Sequence, residues 1–187
     1  MVLESLQPDH YLSNIMFGKN EAHQLCIDLI RKYFDTCQSI LEVGSGNGEL
    51  LRKLSAIYHA FSCGIDPKLG ESDEGLIHFR PLSAEELDKL SGKLCGEINL
   101  SFDLIYSVHS LHHFGNPKAF FRGVKHRLKK NGKLILVDWR KGAITGIPEE
   151  YYGLDEVAEW VERSRLHVIE KGIKERHFYL IATSGRE

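Results

Sequence analysis

No apolar run in this chain of 187 residues approaches the roughly 20 needed to cross a bilayer, so no membrane span is expected. The start, Met1-Val2-Leu3-Glu4-Ser5, has neither the basic residues nor the apolar stretch of a signal peptide, and a cytoplasmic location is the expectation. An excess of one charge is also missing. The formal net charge of −2 argues against a nucleic-acid partner held mainly through phosphate contacts. The densest basic run, Lys125 to Lys130, ends a predicted helix, where cations complement the negative pole of the dipole. The four cysteines, Cys26, Cys37, Cys63 and Cys95, show no C-x-x-C spacing, which speaks against a disulfide framework or a thiolate zinc site. With no repeat, low-complexity stretch or Pro/Ser-rich linker, 1–187 is expected to form one domain.

What the chain does have is alternation. Ala22, Leu25, Cys26, Leu29, Ile30, Tyr33 and Phe34 recur at helical spacing, and Ser39 to Val43 follows as a short buried strand. Leu50, Leu51, Leu54 and Tyr58 trace a second helix; Phe61 to Ile65 and Leu76 to Phe79 are the next strands. Phe102 to Val108 is a fourth strand. A helix carrying Phe120, Phe121, Val124 and Leu128 follows Pro117, Asn131-Gly132 is a stop, and Lys133 to Asp138 is a fifth strand. One more helix carries Leu154, Val157, Ala158 and Val161. Two closing strands, around Leu166 to Ile169 and Phe178 to Ala182, lie too close together for a helix between them, so they pair as a hairpin. The expected fold is α/β: a doubly wound, mainly parallel seven-stranded sheet with helices on both faces and a C-terminal antiparallel hairpin. Residues 1–19, with Tyr11, Ile15, Met16 and Phe17, precede the 20–187 core and are placed to act as a lid.

In such sheets ligands bind beyond the carboxyl ends of the strands, where strand order reverses. Gly44-Ser45-Gly46-Asn47-Gly48 sits where the first strand ends, letting a ligand approach bare backbone near a helix start. Its glycines alternate strictly, unlike the G-x-G-x-x-G dinucleotide fingerprint. Glu42, two residues before Gly44, would repel a pyrophosphate and suits a cation. Asp66, 22 residues after Gly44, ends the second strand, where an acid accepts from ribose hydroxyls. A ribose-bearing cation without phosphates satisfies all three, and S-adenosylmethionine is such a ligand.

As a set these residues resemble the class I S-adenosylmethionine-dependent methyltransferases. Ile40 to Gly48 is similar to their first motif and Gly64-Ile65-Asp66-Pro67 to the second-strand acidic motif. Phe102 to Phe114, with Leu128 to Leu134, resembles the subgroup that includes the ubiquinone/menaquinone-biosynthesis C-methyltransferases. The resemblance implies S-adenosylmethionine as cofactor and S-adenosylhomocysteine as product. It implies that Gly44, Ser45, Gly46 and Gly48 form the cofactor loop, Glu42 orients the methionine amino group, and Asp66 with Pro67 serves the ribose. Ser83 and Ala84 fall beside the adenine, Ser83 replacing the usual carboxylate, and Ser107 with His109 faces the methionine and the transferring methyl.

Methyl transfer from a sulfonium needs alignment first, and a base only where the acceptor must lose a proton. His109 is the candidate base. His109, His112 and His113 share a helical face, a spacing compatible with a metal. No acid or cysteine stands beside them in sequence, so no metal is expected. After the fifth strand, Trp139, Arg140 and Tyr151, with His113, are candidates to wall an acceptor. A small-molecule methyl acceptor, no nucleic acid, and a monomer or homodimer are the expected partners and state. A cofactor-binding or partner subunit without catalysis is the rival reading, kept open by Ser83. A nicotinamide-dependent oxidoreductase is disfavoured by the loop spacing and Glu42.

Overall fold

In the computed structural model of the chain, the backbone is described for residues 8–90 and 100–185 and the side chains for 19–90 and 100–185. Cys95, residues 1–7 of the expected lid, and the side chains of Tyr11, Ile15, Met16 and Phe17 lie outside the described residues. Residues 8–19 continue the first helix, α1 (Pro8–Tyr33). No helix among the described residues is long and apolar enough to cross a membrane.

β1 (Ser39–Val43) is buried along its whole length. It pairs in parallel with β2 (Phe61–Ile65) on one side and β5 (Phe102–Val108) on the other. Beyond β2 lie β4 (Ile77–Arg80) and β3 (Ser72–Glu74); beyond β5 lie β6 (Leu128–Trp139), β8 (His177–Thr183) and β7 (His167–Lys174). The sheet order is β3-β4-β2-β1-β5-β6-β8-β7, parallel at the centre, with β8 and β7 forming the expected antiparallel hairpin. Side chains alternate between two cores. Leu104, Tyr106, Ile135 and Val137 pack with α1 and α2 (Glu49–Tyr58). Ile105, Leu134 and Leu136 pack with α3 (Pro117–Arg127) and α4 (Leu154–Arg163) on the other face. Strands covered on both faces read as continuous apolar runs, which is why the central ones stand out in the sequence.

Three elements differ from expectation. The sheet has an eighth strand, β3, whose residues Ser72, Asp73 and Glu74 are all exposed and carry no apolar period. It is held to β4 by polar contacts, Asp73 accepting from buried Arg80 at 2.7 Å and meeting His78 at 2.8 Å. Leu128 opens β6 instead of closing α3, because it pairs with Phe102. The expected stop at Asn131-Gly132 is an irregularity inside β6, Asn131 taking a left-handed φ of 67°.

The end of the sheet away from the glycine loop is latched by Asp103. Its Oδ2 accepts from the Gln38 and Ser39 backbone N–H groups, the Ser39 hydroxyl and Lys129 Nζ. Burial alone would raise its pKa, but the bonds from Ser39 and Lys129 outweigh that and hold it below the usual carboxylate value. Asp103→Ala is expected to destabilise by on the order of 2 kcal/mol, about 4–8 °C in Tm, while leaving ligand binding at the far strand ends intact. Thermal unfolding followed by circular dichroism reads this directly.

Candidate active site

Strand order reverses between β1 and β5, so the crevice forms at their carboxyl ends. There the chain leaves β1 through Gly44, Gly46 and Gly48, all with left-handed φ of 76°, 51° and 71°. A Cβ on Gly44 would stand 2.4 Å from Ser110, and one on Gly48 2.4 Å from the Phe79 ring; packing explains both glycines. A Cβ on Gly46 would meet nothing within 4 Å. That glycine alone of the three opens onto empty space. The Gly46 N–H donates to Asp66 Oδ2 at 3.1 Å, and the Lys68 N–H donates to Oδ1 at 2.9 Å, so Asp66 stands against the loop.

Two cavities meet here, of about 380 and 370 Å3, and Gly44, Asp66, Ser110 and His113 border both. Glu42, Ser45, Gly46 and His109 line the first, and Pro67, Ser83 and Ala84 line the second. Asp66 therefore divides two lobes, the position a ribose would take between methionine and adenine ends. In the second lobe the Ser83 hydroxyl is engaged, donating to Glu86 Oε2 at 3.1 Å as it caps a short 3-10 helix (Ala84–Lys89). The carboxylate that Ser83 lacks has a neighbour in Glu85, which lines the same lobe and accepts from the Asn116 N–H at 2.9 Å.

At the foot of the first lobe Glu42 is only 4% exposed, and its Oε2 and the Ser45 hydroxyl have no hydrogen-bond partner. Burial pushes the Glu42 carboxyl up to about 8, against smaller opposing effects of Tyr106 and the Leu51 N–H. Unpartnered acceptors at the floor of a cavity fit a cationic, hydrogen-bonding ligand group such as an α-ammonium. Lys19, the end of the expected lid segment, reaches this rim 3.5 Å from Glu49.

His109 takes a left-handed φ of 51°, and its ring stacks on Trp139 at 4.2 Å and His177 at 4.9 Å. Burial, with His177 and His112 nearby, pushes its pKa down to about 2. Such a ring stays neutral and takes up a proton poorly, which argues against His109 as a general base and for a neutral aromatic face of the lobe. Ser107 is buried beside Val108 and lines neither lobe. Arg140 is exposed and outside both, and Gly48 contributes through packing.

The wall opposite the loop holds residues that sequence reasoning did not join. His112 Nδ1 lies 2.8 Å from Asp138 Oδ1, and its Nε2 lies 3.4 Å from Glu149 Oε2. His113 Nε2 is 4.0 Å from Glu149 Oε1. Tyr151 is outside the lining but donates to Glu149 Oε2 at 3.1 Å, its oxygen also 2.8 Å from the Thr145 hydroxyl. Burial lowers the His112 pKa, but Asp138 and Glu149 outweigh it and leave it raised; burial and His112 lower that of His113. Of these residues only His113, Trp139 and Tyr151 were legible as acceptor candidates. Glu149 is drawn in from 36 residues beyond His113, a contact no spacing rule reveals.

Residues 17–180 match the model of a family described as a methyltransferase domain. A tRNA U34 carboxymethyltransferase of Alteromonas mediterranea is 32% identical over 79 residues, 42% of this chain and 20% of that protein. One of Pseudoalteromonas translucida is 28% identical over 110 residues, 53% of this chain and 31% of that protein. The chain thus spans a fifth to a third of the curated relatives it matches. Among solved structures, a Burkholderia thailandensis 1,6-didemethyltoxoflavin-N1-methyltransferase, with 1,6-didemethyltoxoflavin and S-adenosylhomocysteine bound, superposes with a TM-score of 0.68 at 12% identity. That match covers 98% of this chain and 92% of that one. An Aquifex aeolicus SAM-dependent methyltransferase gives 0.66 at 20% identity, covering 97% and 100%. At these identities the likeness establishes the fold.

Glu42 generates a stability prediction. Its folded pKa lies above the unfolded value, so its contribution is present below about 4.5 and is lost as pH rises toward about 8. In ligand-free protein, Glu42→Gln is expected to raise stability at pH 8 by on the order of 2 kcal/mol, with the gain vanishing near pH 5. Denaturant titrations at the two pH values measure it; a pH-independent difference would refute it.

Proposed function

The chain belongs to the methyltransferase domain family, and from that premise we propose that it transfers the methyl group of S-adenosylmethionine to a small-molecule acceptor. The observation that carries this is the pair of unpartnered acceptors, Glu42 Oε2 and Ser45 Oγ, buried at one end of a two-lobed cleft that Asp66 divides. The methionine end would lie on Glu42, Ser45 and Gly46, the ribose on Asp66, and the adenine along Pro67, Ala84 and Glu85. The resemblance of Phe102 to Phe114, with Leu128 to Leu134, supports a kinship with the ubiquinone/menaquinone-biosynthesis C-methyltransferase subgroup.

The acceptor would enter the first lobe between the loop and the wall of His113, Trp139, Thr145 and Glu149. A lobe of about 380 Å3, shared with the methionine end, has the size of a small-molecule site. In-line alignment of acceptor and S–CH3 bond supplies most of the rate, so the protein's task is to hold both and exclude water. A tRNA acceptor is the second reading, favoured by the names of the curated relatives. The net charge of −2 supports the first.

Two measurements test the proposal. Isothermal titration is expected to show micromolar S-adenosylmethionine binding and none of NAD. Gly46→Ala and Asp66→Ala should each weaken it at least tenfold, Gly46→Ala costing only about 1 kcal/mol in stability for its positive φ. Binding of NAD alone would remove the site. With labelled methyl donor, label is expected in a low-mass fraction of cell extract. Label in tRNA would overturn the small-molecule acceptor; tight cofactor binding with no transfer to either would favour a non-catalytic subunit.

A further inference from the structure

We propose that His112, His113 and Glu149 form a binding site for one divalent transition-metal ion of the zinc class, on the acceptor side of the cleft. Their ligand atoms all lie within 4.8 Å of one another. His112 Nε2 is 3.4 Å from Glu149 Oε2, and His113 Nε2 is 4.0 Å from Glu149 Oε1. Ligand atoms of a tetrahedral ion with bonds near 2.0–2.1 Å stand roughly 3.3 Å apart, so the His112–Glu149 pair already has that spacing and His113 must close in on it.

Consecutive residues do not ordinarily direct their rings together. Here the single 3-10 turn Leu111–His113 brings the two imidazoles to a centroid distance of 4.0 Å. Asp138 holds the first of them with both oxygens, accepting from the His112 backbone N–H at 3.2 Å and facing Nδ1 at 2.8 Å. With the ring proton on Nδ1, the Nε2 lone pair faces a carboxylate oxygen 3.4 Å away. As bare acceptors the two repel; a proton on Nε2 or a cation between them removes the conflict, and the geometry offers a divalent ion that same point. A carboxylate behind the histidine and another in front of it is the arrangement of metal sites with a supporting outer shell. Glu149 is braced in turn by the Tyr151 hydroxyl at 3.1 Å.

Two imidazole nitrogens and one carboxylate select zinc and its neighbours over magnesium or calcium, which take oxygen ligands. Three protein ligands leave a fourth position open, as in sites that bind substrate. All three residues line the lobe that also contains Glu42 and Gly44. An acceptor hydroxyl in the open position would lose its proton to water more readily. Its oxygen would then take the methyl from the sulfonium, whose sulfur keeps the electron pair and leaves as a neutral thioether. This last role rests on the methyl-transfer reading; metal binding does not.

The test is calorimetry of the full chain, stripped with chelator, titrated with Zn2+ and with Mg2+ in the absence of cofactor. One Zn2+ per chain is expected to bind with micromolar or tighter affinity, and Mg2+ at least a hundredfold more weakly. His113→Ala, whose side chain is 59% exposed and so leaves the fold intact, and Glu149→Gln should each weaken zinc at least tenfold. His126→Ala, on the surface beside Asp88, should not. Millimolar binding, or zinc affinity unchanged in both site variants, would overturn the proposal. S-adenosylmethionine titrated separately keeps the two readings apart: cofactor binding without zinc binding overturns the metal site alone, and zinc binding without cofactor binding overturns the methyl-donor reading alone.

Discussion

Burial of β1 on both faces, clamped in parallel between β2 and β5, is the constraint from which the site follows. Five consecutive residues, Ser39 to Val43, can be lost to solvent only if every backbone group finds a partner, and the two neighbouring strands supply those partners. Parallel pairing then places the carboxyl ends of three strands on one edge. Glu42, Asp66 and His109 converge there, although as many as 67 residues separate them in the chain. Immediately past Val43 the backbone must leave the sheet, and the left-handed turns at Gly44, Gly46 and Gly48 let it do so within one short loop. Asp103 on β5 ties the opposite ends of β1 and β6 to it, so the register that aligns the site is fixed from below.

How far this could be seen in the sequence depended on how local the cause is. The central strands and helices were legible because burial on both faces leaves apolar runs and helical periods. β3 was not, since Ser72, Asp73 and Glu74 are exposed and owe their strand to Arg80 and His78. The glycine loop, Glu42 and Asp66 were legible as a set because spacing along consecutive strands translates directly into position along one edge. The wall opposite the loop was only half legible. His112 and His113 drew notice by their spacing, but their meaning depends on Asp138 and Glu149, which arrive through the folding of β6 and the loop after it. Ser107, near the same strand end, is one residue out of phase with Val108, which lines the first lobe while Ser107 lines neither.

The cleft is electrically uneven, and the unevenness suits a sulfonium donor. At its foot an acid waits, held neutral by burial until a cation arrives; its raised pKa is stability given up in the empty protein. On one side His109 and Trp139 line the cleft, stacked on each other and on His177 buried behind them, with both histidines pushed to low pKa, about 2 and about 4. If His109 were charged it would repel the sulfonium at close range. Kept neutral, it offers a dry π-face instead, the surface a cation prefers.

Across from that wall the chemistry changes sign. Asp138 and Glu149 concentrate negative charge around His112, and Tyr151 and Thr145 fix the orientation of Glu149. Asp138 accepts from the His112 and Trp139 N–H groups and Glu149 from the Tyr151 hydroxyl; an imidazolium on His112 or a cation shared by the imidazoles would compensate the charge that remains. An imidazolium on His112 would place positive charge within the same lobe as the donor. A metal ion would place more, yet at a fixed point and with an open position that an acceptor oxygen can neutralise. On the proposed function, the neutral wall would keep the donor's charge unopposed and the charged wall would give an acceptor a reason to sit opposite it.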